Sequence, residues 1–403
     1  MPKESAMQPT DLLYINLLKN TDAKEATSTV LTPEEQQTIS ALALRHYTSP
    51  LLLPYINEPQ LHEQLKQQTK QMILNYHQIA HFTFLVTSLL DDHQIPYILL
   101  KGISLAACYP QPEFRKLGDV DIYISDPDAL KRAKKLLESS GFVPETELSD
   151  HHLTYQYTFP KTGRSFILEL HFRVVGLYQY EPANRLVDQV FSCASIQSFH
   201  QQIHNYNYRV LPPTENTFYM LHHMLKHYLY SGFGIRLLYD FTLYLNQNHT
   251  QIHFAQIHEW CQISHITHFY EIIITSCRSY LGLFPFVEKE IHYDEAACRR
   301  FLADIVHDRD MGTATSATLV GSGSYETINL LTCFKEGHLQ MHVRFPRLGK
   351  CGLLWPALWC ITFFCFLKNT YCLRKTTLRH TLRTFRDNNQ HVRQIHIFDN
   401  SDR

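Results

Sequence analysis

Residues 101–124 read KGISLAACYPQPEFRKLGDVDIYI, and the last seven of them set the expected fold. In GDVDIYI, Asp119, Asp121 and Tyr123 share one face of an extended chain, while Val120, Ile122 and Ile124 share the other. That is the period-2 pattern of a half-buried strand with its acids facing out. Two like charges on one face repel unless a cation lies between them. A hard divalent ion, Mg2+ or Mn2+, suits the place, because it takes carboxylate oxygens and leaves positions open for substrate phosphates. Fifteen residues before Asp119, Ser104 ends a Gly-Ile-Ser turn. Gly102 permits close backbone approach to an anion, and Ser104 is expected to open a helix whose free N–H groups face it.

Outward from this stretch the texture is strand, helix, strand, helix. PYILL (96–100) is a short buried run, SLAACY (104–109) a short helix, and 127–140 a helix capped by Asp126 and closed by Gly141. LTYQYTF (153–159) and RSFILELHF (164–172) alternate as strands and flank Pro160, Lys161, Thr162 and Gly163, which predicts a hairpin. A mixed sheet with helices on one side closes such a set. Residues 9–95 read as helical: Thr32-Pro33-Glu34-Glu35 starts a helix, and Ile79, Phe82, Val86, Leu89 and Leu90 keep helical spacing until the chain meets Pro96. After Pro212-Pro213, helices are expected over 214–230, 235–246, 252–261 and 266–280, and a Gly-rich polar linker over 311–328. The expected fold class is α+β, a small mixed sheet core with helical N-terminal and C-terminal parts. The expected division is 1–78 helical, 79–212 core, 213–310 helical and 311–403 linker with a basic, apolar-helix C-terminal region.

A chain of 403 residues with 44% hydrophobic and 19% charged residues buries a sizeable core and is not a disordered protein. A net charge of −1 argues against wholesale nucleic-acid binding, so RNA or DNA is not the favoured partner. The ten cysteines lack any Cys-x-x-Cys pair, and reduced thiols in a cytoplasmic protein are expected. The first twenty residues hold no apolar core of secretory length. The apolar run 352–367, GLLWPALWCITFFCFL, is shorter than the roughly 20 residues that span a bilayer. Basic residues Lys375, Arg379, Arg383 and Arg386 follow it at helical spacing, so 352–386 is a candidate contact for a membrane surface or an anionic partner.

A third carboxylate completes the chemistry. On RSFILELHF, Ile167, Glu169 and His171 share a face, so Glu169 is expected on a strand beside Asp119 and Asp121. Three acids on neighbouring strands can hold two divalent ions, one activating an attacking oxygen and one clamping a triphosphate. Lys101 and Arg115 are the cations expected to help with that triphosphate, beside Gly102 and Ser104. His171 is expected in a supporting, hydrogen-bonding place, since hard ions prefer oxygen. Farther on, His223 and His227 stand four apart and face one way on a helix, and Arg236 and Asp240 repeat the spacing. No His-Glu-x-x-His pattern supports zinc there, and Arg236 with Asp240 also reads as an intrahelical ion pair worth on the order of 0.3 kcal/mol.

Gly102, Ser104, Asp119, Asp121 and Glu169 together resemble the signature of the DNA polymerase beta superfamily of nucleotidyltransferases, a Gly-Ser turn followed by an Asp-x-Asp strand and a later acid. LLKGISLAACY, FRKLGDVDIYI and LELHF are similar to a bacterial family of uncharacterised nucleotidyltransferases, and the likeness continues into 222–245. The turn departs from the usual Gly-Ser or Gly-Gly pair in reading Gly-Ile-Ser. The resemblance implies an NTP, in the first place ATP, bound with two Mg2+ or Mn2+ ions in the sheet cleft. It also implies transfer of NMP to an acceptor hydroxyl or phosphate with release of pyrophosphate. The acceptor, a small molecule, peptide or protein, would meet His171, His223, His227 and Asp240. Two alternatives stand beside it: a sugar-nucleotide glycosyltransferase with a metal-binding Asp-x-Asp, and a catalytically silent binding protein on the same fold.

Overall fold

The computed structural model describes residues 7–19, 29–145, 149–178, 180–192, 199–230, 234–285, 291–307, 330–345 and 347–368. Four helices come first: α1 (Pro9–Lys19), α2 (Pro33–His46), the short α3 (Ser49–Leu52) and the long α4 (Pro59–Asp92). Helix α2 starts where the sequence places it, because Thr32 and Glu35 form a reciprocal capping box. The division expected between residues 78 and 79 falls inside α4.

The core alternates as β1 (Ile98–Leu100), α5 (Ile103–Ala106), β2 (Val120–Tyr123), α6 (Pro127–Ser139), β3 (Val143–Pro144), β4 (His152–Thr158) and β5 (Ser165–His171). Helix α7 (Glu181–Val190) and the hairpin of β6 (Phe199–Ile203) and β7 (Tyr206–Val210) complete it. The strands form one seven-stranded sheet in the order β3-β4-β5-β2-β1-β7-β6. It is mixed: β2 runs parallel to β5 and β1 parallel to β7, and the remaining neighbours are antiparallel. The predicted hairpin of β4 and β5 forms, and Asp126 caps α6 by accepting from the N–H groups of Asp128 and Ala129. Neither β6 nor β7 was expected, although Tyr206, Tyr208 and Val210 alternate with Asn207 and Arg209.

One sheet face is apolar. Leu99, Val120, Ile122, Leu168, Leu170 and Val210 pack there against Phe82 and Val86 of α4 and Ala129, Ala133 and Leu137 of α6. The other face is not open, which corrects the expectation of helices on one side. It meets α8 (Pro213–Tyr230), α9 (Ile235–Asn248), α10 (Phe254–Ile263), α11 (Thr267–Tyr280) and α12 (Glu295–His307), whose apolar residues form one continuous core with Leu100, Tyr123, Val174 and Val175. The first helices share that core: Tyr14, Ile39 and Leu52 are buried in it, and the His46 imidazole bonds the Val306 carbonyl at 2.9 Å. Strand β2 is therefore buried along its whole length rather than half-buried.

Helices α13 (Leu330–Arg344) and α14 (Trp355–Lys368) pack on one another. The apolar run falls on α14, where Leu358 is buried and Ile361, Phe363 and Phe364 are exposed. Among the described residues no helix is long and apolar enough to cross a membrane. The linker expected over 311–328 and the basic face of 375–386 lie outside the described residues. No disulfide joins the described cysteines.

Candidate active site

Strand pairing brings the acids together. In the parallel β2–β5 register Asp121 stands beside Glu169 and Tyr123 beside His171, so the acids and the imidazole emerge on one face. Asp121 is 1% exposed. Its Oδ1 lies 3.2 Å from Lys101 Nζ and 3.1 Å from His171 Nε2. Its Oδ2 is buried and has no hydrogen-bond partner among the described residues. His171 Nε2 also lies 3.3 Å from Glu169 Oε2. Ligand atoms of Asp121, Glu169 and His171 all fall within 4.8 Å of one another. Asp119, one residue before β2, lines the same cavity but does not belong to that close group.

Charge compensation explains how the buried acids are tolerated. Burial pushes the Lys101 ammonium down, but Asp121, Asp119 and Glu169 outweigh it and hold its pKa well above the ordinary value. Burial likewise lowers His171, and its hydrogen bonds to Asp121 and Glu169 raise it to about 9, so the ring is protonated at neutral pH. For Glu169 burial raises the carboxyl, while the His171 hydrogen bond and the Lys101 charge bring it down to about 2. The donor set suits a hard divalent cation: two carboxylates on adjacent strands, with one buried oxygen left unbonded where an ion would satisfy it. In this structure Lys101 and His171 provide the positive charge instead.

The turn between β1 and α5 departs from its expected role. Lys101 and Gly102 both take positive φ, at 34° and 61°. Helix α5 is a single turn opened by Ile103, not Ser104. Ser104 is buried, and its hydroxyl donates to the Lys101 carbonyl at 2.7 Å, so it braces the turn rather than facing a ligand. Arg115 is similarly committed. It is 5% exposed and donates through Nε and Nη2 to both oxygens of Asp240, at 3.0 and 2.8 Å, and through Nη1 to the Gly102 carbonyl at 3.2 Å. Asp240 accepts a further bond from Tyr109 Oη at 2.6 Å. Asp240 thus pairs with Arg115, 125 positions away, rather than with Arg236 as an intrahelical pair.

A cavity of about 690 Å3 opens over the acids, walled by Lys101, Gly102, Arg115, Asp119, Asp121, His223 and Arg236 and closed on another side by Asn75 and Gln78 of α4. Ser104, Glu169, His171, His227 and Asp240 lie outside its lining. His223 and His227 meet edge to face on α8 with Nε2 atoms 2.9 Å apart, and His223 Nε2 lies 3.4 Å from Lys101 Nζ. Burial holds both rings below their ordinary pKa, His227 at about 3. Sequence reasoning missed His151 and His152, which join His171 in a second close group of ligand atoms. The signal was present: a hairpin closed on residues 160–163 sets 159 opposite 164, and hence His152 opposite His171.

Comparison with known proteins adds the family. Residues 32–282 match the family profile described as uncharacterised nucleotidyltransferase, a span holding the whole sheet, Lys101, all three acids and α8 to α11. The chain belongs to that nucleotidyltransferase family. The match ends at residue 282, before α12. A crystal structure of an antigenic nucleotidyltransferase-like protein from Paracoccidioides brasiliensis is similar at 18% identity and a TM-score of 0.31, over 50% of this chain and 90% of that one. No curated protein matches. In this nucleotidyltransferase-family chain, Asp121, Glu169 and His171 are neighbours in one charge-compensated cluster beside a ligand-sized cavity that Asp119 and Asp121 line.

Proposed function

We propose that the chain moves an NMP from an NTP, ATP in the first place, to an acceptor hydroxyl or phosphate with release of pyrophosphate. Asp119, Asp121 and Glu169 would hold two Mg2+ or Mn2+ ions. The observation that carries this reading is the buried Asp121 Oδ2, left unbonded beside Glu169 under the cavity. When bound, the ions neutralise polyphosphate charge and orient the reacting oxygens.

The residues of the chain do the rest. Lys101 lies 3.2 Å from Asp121 and balances the acids; once an ion takes over that task its ammonium serves the polyphosphate. Gly102 presents backbone with no Cβ at φ 61°. Arg115 acts by holding the Gly102 carbonyl and Asp240, which fixes the turn and ties the sheet to α9. His171 donates to Asp121 and Glu169 and sets the orientation of both carboxylates. His223, on the cavity wall, is the residue on α8 best placed to meet the acceptor. A glycosyltransferase would need successive parallel strand–helix units ahead of its acids, whereas among the described residues five helices, α1 to α5, and the single short strand β1 precede Asp119.

The test is transfer from α-phosphate-labelled NTPs with Mg2+ and cell extract. Wild type labels an acceptor and Asp121→Asn or Glu169→Gln does not. Equal labelling by both variants refutes the reading. Metal-dependent NTP binding by calorimetry without any transfer supports the silent binding protein instead.

A further inference from the structure

A second set of donors adjoins the carboxylates and differs from them in chemistry. His151 and His152 lead into β4, and His152 stands directly opposite His171 across the β4–β5 pair, so its ring shares the face of Glu169. Ligand nitrogens of His151, His152 and His171 lie within 4.8 Å of one another. His151 Nε2 and His152 Nδ1 are 3.0 Å apart and share a hydrogen bond, which a cation seated between the rings would replace. Adjacent nitrogens of a tetrahedral zinc site, each about 2.0–2.1 Å from the ion, stand about 3.3 Å apart.

The surroundings orient these rings as ligands are oriented. His151 gives Nδ1 to Asp150 Oδ1 at 2.6 Å, and Asp150 Oδ2 is itself fixed by the Leu177 N–H at 2.7 Å. That is the carboxylate–histidine arrangement that supports metal-bound imidazoles, and it turns Nε2 inward. His171 Nδ1 lies 3.3 Å from the Arg173 carbonyl, which likewise leaves Nε2 facing the cluster.

We propose that His151, His152 and His171 form a cation site separate in chemistry from the carboxylate site, selective for a borderline divalent metal such as Zn2+. Imidazole nitrogens favour such ions, whereas Mg2+ takes oxygen. Glu169 links the two positions: its Oε2 lies 3.3 Å from His171 Nε2 and its Oε1 3.8 Å from His152 Nε2. A ligating imidazole is neutral with a bare nitrogen towards the ion, so His171 gives its Nε2 proton up to solvent on binding. The inference does not rest on nucleotidyl transfer.

The test is Co2+ titration of the chelator-stripped full-length chain, read by visible absorption and calorimetry. Wild type is expected to take up one tight equivalent with the bands of a four- or five-coordinate nitrogen site, displaced by Zn2+ and not by excess Mg2+. The His151→Ala/His152→Ala double variant loses the bands. Asp150→Asn, which keeps all three ligands, weakens binding about 10–100-fold. Circular dichroism checks that each variant is folded, and Asp150→Asn carries the test if the double variant is not. No absorption from folded wild type, or an unchanged spectrum and affinity in the folded double variant or in Asp150→Asn, overturns the proposal.

Discussion

Replacing Asp240 with Ala separates a structural role from an acceptor-binding one. In the folded chain Asp240 is 1% exposed and accepts three hydrogen bonds, two from Arg115 and one from Tyr109. The substitution strands a guanidinium that is only 5% exposed, with the Gly102 carbonyl as its remaining bond from this set. Removing one partner of such a buried pair costs about 3–5 kcal/mol, most of it the burial of an uncompensated charge. An Arg115→Leu/Asp240→Leu double variant removes that charge as well, so it is expected to recover a large part of the loss and to give a strongly non-additive cycle. Urea denaturation followed by circular dichroism measures both. Calorimetry should find NTP affinity reduced in Asp240→Ala, because the turn loses its anchor. A loss below about 1 kcal/mol, against the several expected for a buried pair, refutes the reasoning. If acceptor KM alone then changes, Asp240 is an acceptor contact after all.

Three further outcomes follow from the same geometry. Gly102→Ala forces a side chain into φ 61° and should cost about 1–3 kcal/mol, with weaker NTP binding by calorimetry. Phe82→Ala empties the aromatic cluster formed with Phe142, Tyr157, Phe159 and Phe166, and should cost roughly 3–5 kcal/mol in urea denaturation. His222 is fully buried and bonded to the Tyr178 hydroxyl at 2.9 Å, and burial lowers its pKa from 6.5 to about 3. A base that binds fewer protons when folded contributes stability that is complete above pH 6.5 and lost as the pH falls from there towards 3. Stability measured across that window should fall less steeply in His222→Asn, and an unchanged slope counts against the burial argument.

Much of the site was legible locally because its parts are local. Alternation over 119–124 put Asp119 and Asp121 on one face, and alternation over 164–172 put Glu169 with His171. Parallel pairing of β2 with β5 then needed no more than a standard sheet. The Gly-Ile-Ser turn misled on Ser104, because periodicity cannot tell whether a hydroxyl faces a ligand or closes back on the Lys101 carbonyl three residues earlier. Arg115 misled for a different reason. A cation near a proposed phosphate reads the same whether it meets a ligand or a carboxylate such as Asp240 that folding brings to it.

The sequence by itself determined the strand faces, the β4–β5 hairpin register and the Thr32 and Asp126 caps. Each depends on side-chain period or on hydrogen bonds within a few residues. The tertiary structure alone decided the rest. It added β7 beside β1, buried β2 on both faces and clamped Arg115 with Asp240; it also left Asp121 Oδ2 unbonded. These arrangements arise when segments far apart in the chain exclude water together. The energies that select them, burial and the pairing of buried charge, act between partners that no local pattern connects.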